Sequence, residues 1–273
     1  MKKIPELVLP AGNLEKLELA FNYGADAVYL AGENFGLRSR AENFSRRELA
    51  YATKEAHLRG KRIYVVLNAF LHGEQISQLP DFVRYLQQIE VDALVISDVG
   101  VLSTVQSVQN IQSTQSVRAV PSVPSVRSIP VHLSTQASCL NVAAVKFWKS
   151  LGVSRIILAR EVSIAEAKKI KVAADVEVEM FVHGSRCISY SGHCVMSNFV
   201  AHRDSNRGGC AHNCRHQYMV KSLADDGKLR QGEGFLMSSS DLLGIHCLPE
   251  FIDAGIDALK VEGRMKNHLY VGT

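Results

Sequence analysis

The amino-acid sequence predicts an α/β protein, a (β/α)8 barrel of the TIM-barrel type that occupies residues 1–273 as one domain. Short apolar segments alternate with glycine-containing turns and amphipathic segments, which is the pattern of repeated βα units and a parallel sheet. Eight strand candidates fit a closed barrel better than an open doubly wound sheet, although the count alone is compatible with both. Polar residues at the strand ends favour the barrel.

Each strand candidate is a short run of aliphatic and aromatic side chains between turn residues, a composition that favours extended backbone. The eight runs are Glu6–Pro10, Asp26–Ala31, Arg62–Asn68, Ala93–Asp98, Val131–Gln136, Arg155–Arg160, Val176–Val182 and Asp257–Val261.

Amphipathic segments between these strands predict the helices. Ser45 and Glu48 form a capping-box pattern, in which each residue's side chain bonds the other's backbone N–H at a helix start. Glycines that precede the next strand indicate helix ends, because glycine tolerates the left-handed backbone found there. These glycines are Gly24, Gly60, Gly152 and Gly255. The predicted helices are Leu14–Tyr23, Ser45–Arg59, Leu79–Ile89, Asn141–Ser150 and Ser163–Ala173.

Alternation along two strands places charged side chains opposite the apolar ones. In VEVEMFVH, Glu177, Glu179 and His183 lie on one face of the strand. In DALKVEG, Lys260 and Glu262 likewise lie on one face of their strand. Because helices cover the apolar face, the charged residues are expected inside the barrel, near the strand ends where barrel enzymes hold their active sites. Glu179 with Lys260 is therefore a candidate acid/base unit, and buried ion pairs that stabilise the barrel are the alternative. Other polar residues at strand ends are Asn68, Asp98, Ser134, Gln136, Arg160 and Glu161.

Two stretches interrupt the alternation. Residues 103–130 are rich in Ser, Val, Gln and Pro, and we expect the end of the fourth helix followed by a surface loop. Residues 184–255 form an insertion after the seventh strand, with the cysteines, a hairpin of Gln217–Leu223 and Gly234–Met237, and a helix from Asp241. Such loops carry the specific chemistry of many barrels.

The net charge of +4 and the pI near 8.7 permit an anionic partner such as RNA without requiring one. The sequence has neither an apolar run long enough to span a membrane nor the apolar centre of a signal peptide, so we expect a cytoplasmic protein. The final residues, GRMKNHLYVGT, begin a helix after the eighth strand. They either close the barrel or lead into a further C-terminal domain.

The cysteines indicate metal or redox chemistry, because disulfides are rare in a reducing compartment. Four of the six lie in one glycine-rich segment with the spacing C-x6-C-x15-C-x3-C, and these are Cys187, Cys194, Cys210 and Cys214. Four thiolates among glycines favour a 4Fe-4S cluster. Zinc, which prefers closely paired cysteines, and cysteines without a ligand are the alternatives. Cys139 and Cys247 are expected to be small core residues.

Residues 179–198, EMFVHGSRCISYSGHCVMSN, resemble the signature of the collagenase-like peptidases, the unassigned peptidase family thirty-two. The segments LSTQAS, NRGGCAHNCR and LKVEGRMK are also similar to family segments, so the resemblance covers nearly the whole chain. Arg186, where an apolar residue is usual, and the 103–130 segment depart from the pattern. The matching signature positions are Glu179, Phe181, Gly184, Ser185, Cys187, Gly192, Cys194 and Ser197.

This resemblance implies that the four clustered cysteines hold an Fe-S cluster. The family name implies a peptidase, but its better understood members resemble Fe-S proteins of oxygen-independent or prephenate-linked hydroxylation, acting on the tRNA wobble uridine, a ribosomal RNA cytidine or the ubiquinone ring. We expect an RNA hydroxylase, most specifically one for prephenate-dependent 5-hydroxylation of the wobble uridine. A collagenase-like peptidase and an Fe-S subunit of a quinone hydroxylation complex are the alternatives. The sequence has neither a GxSxG nor an HExxH motif, which disfavours the peptidase.

Basic and aromatic residues are the candidates for substrate binding. Arg160, Lys260 and Arg264 are predicted to bind a small dicarboxylate such as prephenate, and Arg160 joins Glu179 and Lys260 as a candidate catalytic residue. Arg264 and three arginines of the cysteine loop are expected to contact tRNA or rRNA. Tyr190 is expected to stack on a base. For the loop arginines, a solvated loop or support of an anionic cluster is the alternative. These three are Arg186, Arg207 and Arg215.

Overall fold

Eight parallel strands form a closed barrel in the computed structural model, which describes residues 3–37, 42–118, 127–223 and 229–271. The first seven strands are β1 (Glu6–Pro10), β2 (Ala27–Leu30), β3 (Arg62–Leu67), β4 (Ala93–Ile96), β5 (Val131–Leu133), β6 (Arg155–Ile157) and β7 (Glu177–Gly184). The insertion contains β8 (Tyr218–Leu223), β9 (Leu229–Gly234) and β10 (Leu242–Leu243), and β11 (Ala258–Val261) is the eighth barrel strand. Strands β1 to β7 pair in chain order, and β11 closes the ring between β7 and β1. The predicted fold class is confirmed.

Helices on the outside of the barrel connect its strands. They are α1 (Leu14–Asn22), α2 (Arg46–Leu58), α3 (Gly73–Gln88), α4 (Val99–Arg118), α5 (Val142–Ser150) and α6 (Ile164–Ala174), followed by α7 (Met196–Ala201) and α8 (Leu248–Asp253) in the insertion and α9 (His268–Val271) after β11. Ser45 and Glu48 form the predicted capping box of α2. The four predicted glycines all have positive φ. In the described part of the chain, no helix combines the length and apolar character needed to cross a membrane.

The hydrophobic core has two layers, as the strand alternation predicts. Val178, Met180 and Leu259 pack between the sheet and the helices. Tyr29 and Tyr64 lie with other buried apolar residues inside the barrel. Successive side chains of a strand point to opposite faces, so the charged residues between those of the outer layer point into the barrel.

Two helix predictions are wrong in extent. Helix α3 begins at Gly73 rather than Leu79, and it contains Pro80. Helix α4 runs to Arg118, where a surface loop was expected. Its first turns bury Val101, Leu102, Val105 and Val108, an apolar stripe that stabilises a helix despite the Ser- and Gln-rich composition. The remainder of the expected loop, residues 119–126, lies outside the described residues.

Two details of the insertion also differ from the prediction. The second hairpin strand is Leu229–Gly234, because Leu223 pairs with Leu229 and Tyr218 with Gly234, which sets the register. No helix begins at Asp241, since the next two residues form β10, which pairs antiparallel with His183 and Gly184 at the end of β7. Strand β7 extends past β6, and β10 supplies hydrogen-bond partners to that free edge. Helix α8 follows only at Leu248.

Candidate functional site

A network of ion pairs fills the lower part of the barrel interior. Glu179 is fully buried, with its Oε1 2.9 Å from Lys260 Nζ and its Oε2 3.2 Å from Arg155 Nη1. Arg155 Nη1 also lies 2.6 Å from Glu6 Oε2, and Arg62 Nη2 lies 2.7 Å from Glu6 Oε1. Glu179 and Lys260 thus form an ion pair, and their acid/base role stays a prediction. Both oxygens of Glu179 face cations, which is the arrangement that a buried carboxylate requires.

This network sets the charge state of its neighbours. Burial alone would lower the pKa of Arg155, but Glu179, Tyr64 and other surrounding acidic groups outweigh burial and raise that pKa. Burial lowers the pKa of His132 on β5 well below its ordinary 6.5, and the cations of Arg155, Lys260 and Arg62 lower it further. His132 is therefore neutral at physiological pH.

A recess of about 60 Å³ lies above the network, at the C-terminal ends of the strands. Arg160, Lys260 and Arg264 all line it, as does Glu262. The three predicted dicarboxylate-binding residues are therefore brought together. Arg264 is buried and donates from Nη2 to Asn43 Oδ1 at 2.9 Å, while Lys260 Nζ lies 4.1 Å from the centre of the Tyr29 ring.

The four clustered cysteines line one cavity of about 390 Å³ above this recess. Cys187 follows β7, Cys194 precedes α7, and Cys210 and Cys214 lie between α7 and β8. The cavity and the recess share four lining residues, Leu37, Gln136, Arg160 and Glu262. The cysteine insertion therefore lies over the mouth of the barrel, and the two spaces adjoin.

Hydrogen bonds hold the backbone around Cys194. The side chain of Asn206 bonds both backbone polar groups of Cys194. Its Oδ1 accepts from Cys194 N at 3.3 Å, and its Nδ2 donates to Cys194 O at 3.0 Å. The backbone N–H of Met196 donates to Cys194 Sγ at 3.3 Å. Gly209 permits a close approach, since a Cβ there would lie 2.6 Å from Asp204 O. Backbone N–H groups directed at sulfur stabilise thiolate ligands.

The thiols interact with one another. Burial raises the pKa of the Cys214 thiol; Cys187, Cys210 and Cys194 raise it further, and Arg215 opposes them. Thiols that face each other without a ligand resist ionisation together, and a bound metal would remove that penalty. Among the described residues, no three His, Cys, Asp or Glu side chains are arranged to hold a single metal ion. The donor set fits a cluster, since four thiols border a space with room for several ions.

The predicted RNA-binding residues occupy different environments. Arg186 and Tyr190 are exposed beside the cavity. By contrast, Arg207 Nη2 donates to Gln75 Oε1 on α3 at 2.7 Å, and Arg215 Nη2 donates to the carbonyl of Arg186 at 2.8 Å. These two arginines connect parts of the chain, as the alternative role of supporting the loop requires. Arg264 lies in the recess rather than on the surface.

Two positioning residues were not given roles by sequence reasoning. Glu161, noted only as a strand-end residue, accepts from Ser191 N at 2.7 Å and from Ser191 Oγ at 3.2 Å, which ties β6 to the cysteine loop. Asn206 opens the segment NRGGCAHNCR, so a signal for it was present in the sequence. The two smaller predictions on cysteines agree with the structure, since Cys139 is buried in the core and Cys247 is half-buried against it.

Fold and site together define a class, a TIM-type barrel with a cysteine-lined insertion over its mouth. The model of Peptidase family U32 matches residues 12–273, and the chain belongs to this family. The solved structure of the U32 peptidase Mk0906 is similar in fold, with a TM-score of 0.51 and 14% identity over 68% of this chain and 71% of that chain.

Two curated relatives extend the comparison. The chain is 43% identical to tRNA hydroxylation protein P1 of Bacillus subtilis (strain 168) over 275 residues, which cover 99% of this chain and 61% of the relative. It is 34% identical to the 23S rRNA 5-hydroxycytidine C2501 synthase of Escherichia coli (strain K12), over 97% of this chain and 37% of that protein. The chain thus spans 61% of the first relative's length and a smaller share of the second.

Proposed function

We propose that this chain belongs to an Fe-S-dependent enzyme that hydroxylates RNA, and that its most specific activity is prephenate-dependent 5-hydroxylation of the tRNA wobble uridine. The observation that carries the proposal is the adjacency of two spaces, the cavity bordered by four thiols and the recess in the barrel mouth, which share four lining residues. The names of the two relatives, which concern tRNA hydroxylation and ribosomal 5-hydroxycytidine, support the same chemistry.

The cysteines would hold a 4Fe-4S cluster, which supplies electron transfer when it is bound. Asn206 orients Cys194, and Glu161 orients the loop between Cys187 and Cys194. Such outer hydrogen bonds fix ligand geometry and tune the metal. The insertion lies over the barrel mouth, which places the cysteines next to the recess.

The cationic groups of the recess fit a small dicarboxylate. Arg160 is half-buried and lines both the recess and the cysteine cavity, and its planar guanidinium matches a carboxylate bidentately. Lys260 is already paired with Glu179, so its contribution is the positive potential of a positioned ammonium. Arg160 is therefore our candidate for direct contact with prephenate.

RNA would approach from the side of the exposed residues. Arg186 is exposed beside the cavity, Tyr190 is 60% exposed, and Phe199 on α7 is 86% exposed. An arginine suits a phosphate, and aromatic rings suit unstacked bases of a single-stranded loop. A base must leave its stack to reach the recess, which an anticodon loop permits at lower cost than a duplex.

Nucleoside mass spectrometry of tRNA and ribosomal RNA from cells with and without the gene tests the proposal. We expect loss of 5-hydroxyuridine-type nucleosides from tRNA in the deletion strain and their return with the full-length gene. The anaerobically purified full-length protein is expected to be brown, with about four iron and four sulfide per chain. Unchanged nucleosides in the deletion strain, or a colourless protein with one zinc, would overturn it.

The family name favours peptidase activity as a second candidate. A nucleophile among the four clustered thiols would be incompatible with a bound cluster, and of the two other thiols Cys139 is buried and Cys247 is half-buried against the core. Hydrolysis of collagen-derived peptides by a protein that lacks all four cysteines would support the peptidase function.

Quinone hydroxylation is a third candidate function. It predicts that the deletion strain has altered quinones and unaltered RNA.

A further inference from the structure

One wall of the barrel-mouth recess consists of neutral hydrogen-bonding side chains to which the proposed function assigns no role. Asn68 follows β3, and Ser134, Thr135 and Gln136 follow β5. Each of the four is more than nine-tenths buried. Buried polar groups are costly unless they have partners, so their hydrogen bonds show which atoms are available to a ligand.

The hydrogen bonds of this wall fix the orientation of Gln136. Asn68 Nδ2 donates to Gln136 Oε1 at 3.1 Å and to Ser134 Oγ at 3.2 Å, and Ser134 Oγ donates to Gln136 Oε1 as well. The carbonyl end of Gln136 is thereby occupied. A Cβ on Gly192 would lie 3.7 Å from Gln136 Nε2, so the amide end faces the cysteine loop and the space between.

Thr135 provides the second available atom. Its Oγ1 is buried and makes no hydrogen bond within the described residues, although the residue is only 3% exposed and lines the recess. Within that same part of the chain, Gln136 Nε2 also donates to no protein acceptor. The wall therefore presents one amide donor and one hydroxyl, which both donates and accepts.

Arg160 adds a flat cationic surface to the recess. The guanidinium carbon of Arg160 lies 4.4 Å from the centre of the Phe181 ring, which packs inside the barrel. A guanidinium can stack by its face while its edge still bonds a carboxylate. Protein sites for unpaired bases combine such stacking with hydrogen bonds to the base edge.

We infer that the recess receives the hydrogen-bonding edge of a pyrimidine base, which stacks on Arg160 while Gln136 Nε2 and Thr135 Oγ1 bond its polar atoms. The inference rests on the proposed RNA hydroxylation and names the residues that select the base. A carboxylate would favour cationic partners over this neutral wall. A recess of about 60 Å³ admits only the edge of a ring, so the sugar and phosphate would lie outside it, on the side of the exposed Arg186.

Matched variants of the full-length protein test the inference. Thr135→Val removes the hydroxyl at nearly constant shape, and Thr135→Ser retains it. We expect Thr135→Val to lower the hydroxylated nucleoside in complemented cells by about tenfold, the effect of one neutral hydrogen bond, with Thr135→Ser close to wild type. Iron and sulfide content is expected to be unchanged in both, because neither side chain borders the thiols.

Gln136→Glu tests selection in a second way. Uridine 5′-monophosphate and cytidine 5′-monophosphate serve as probes in titrations followed by NMR. The wild type is expected to bind the uridine nucleotide more tightly, since Gln136 Nε2 is proposed to donate to the carbonyl at C4, where cytosine has an amino group instead. The variant is expected to shift the preference at least about tenfold toward cytidine, because a carboxylate accepts from the cytosine amino group.

The outcomes separate the two proposals. If the gene does not restore the nucleoside, the proposed function fails. If the gene restores it and Cys210→Ala does not, while Thr135→Val and Gln136→Glu behave like wild type in cells and in titrations, the base-edge inference fails and the hydroxylation proposal stands. Loss of the nucleoside in Thr135→Val with rescue by Thr135→Ser supports both.

Discussion

The barrel interior and the cysteine insertion both concentrate polar groups, but they satisfy those groups in different ways. In the interior, Glu6, Arg155, Glu179 and Lys260 pair with one another at distances of 2.6 to 3.2 Å. In the insertion, side chains such as Asn206 secure the backbone, while the thiols face a shared cavity. The interior balances its own charges, whereas the insertion places four thiols along one cavity, where we propose that they hold a cluster.

The two regions also differ in how much regular structure supports them. Ser191, His202 and His212 of the insertion have positive φ, which costs free energy for residues with a side chain, and four barrel residues bear the same cost: Phe35, Glu90, Ser138 and Asp175. The helices of the insertion are short, however, and α7 has six residues. A bound cluster would offset this cost, so the insertion is expected to depend on its ligand and the barrel on its packing.

Loss of one thiol should produce the largest effect. We expect Cys210→Ala to remove the cluster and to reduce RNA hydroxylation below detection, because four thiolates complete the ligand set. Hydrogen exchange should quicken in residues 184–223 and stay unchanged in the barrel strands. Cys247→Ala, a thiol outside the cavity, is the control and should keep its iron; equal iron loss in both variants would contradict the assignment.

Glu179→Gln should instead destabilise the barrel interior. The change leaves Lys260 and Arg155 without their shared carboxylate, and removal of one member of a buried ion pair costs about 3 to 5 kcal/mol. Urea unfolding measures this loss. As a control, Lys169→Ala breaks the exposed pair with Glu166 and should change the free energy of unfolding by no more than about 0.5 kcal/mol. Similar values for the two variants would show that the interior pair is not important for stability.

Acid should weaken the barrel through His132. Its pKa is lowered in the folded state, so below its unfolded value of 6.5 the unfolded chain binds the extra proton and stability falls as pH decreases. The slope is at most about 1.4 kcal/mol per pH unit for one group. His132→Phe removes this titration, and the difference between the two unfolding curves from pH 7.5 to 5.5 isolates it. Parallel curves would exclude the effect.

Removal of the α2 cap should have the smallest effect. Ser45→Ala deletes the hydroxyl that accepts from Glu48 N, and such caps contribute about 1 kcal/mol. Thermal or urea unfolding reports the change, and Ser45→Asp retains a capping oxygen. Cluster content should stay at the wild-type level in both variants, because α2 lies on the barrel. Iron loss in Ser45→Ala would show that the barrel and the insertion are coupled.

Local pattern was sufficient for much of the barrel. Alternation in VEVEMFVH and DALKVEG predicted that Glu179 and Lys260 point inward, because a strand has a side-chain period of two. The Ser45 cap and the four glycines followed from backbone preferences that act within a few residues. The cysteine spacing likewise identified the four residues that share one cavity.

Tertiary structure decided the features that depend on distant parts of the chain. Strand β10 forms because β7 extends past β6, and neither Asp241 nor its neighbours encode that edge. Arg207 has Gln75 as a hydrogen-bond partner, 132 positions earlier in the chain, which no local pattern indicated; its contact with RNA stays a prediction. Short-range preferences specify backbone and the direction of a side chain, whereas its partner is set by which strands and loops the closed barrel brings together.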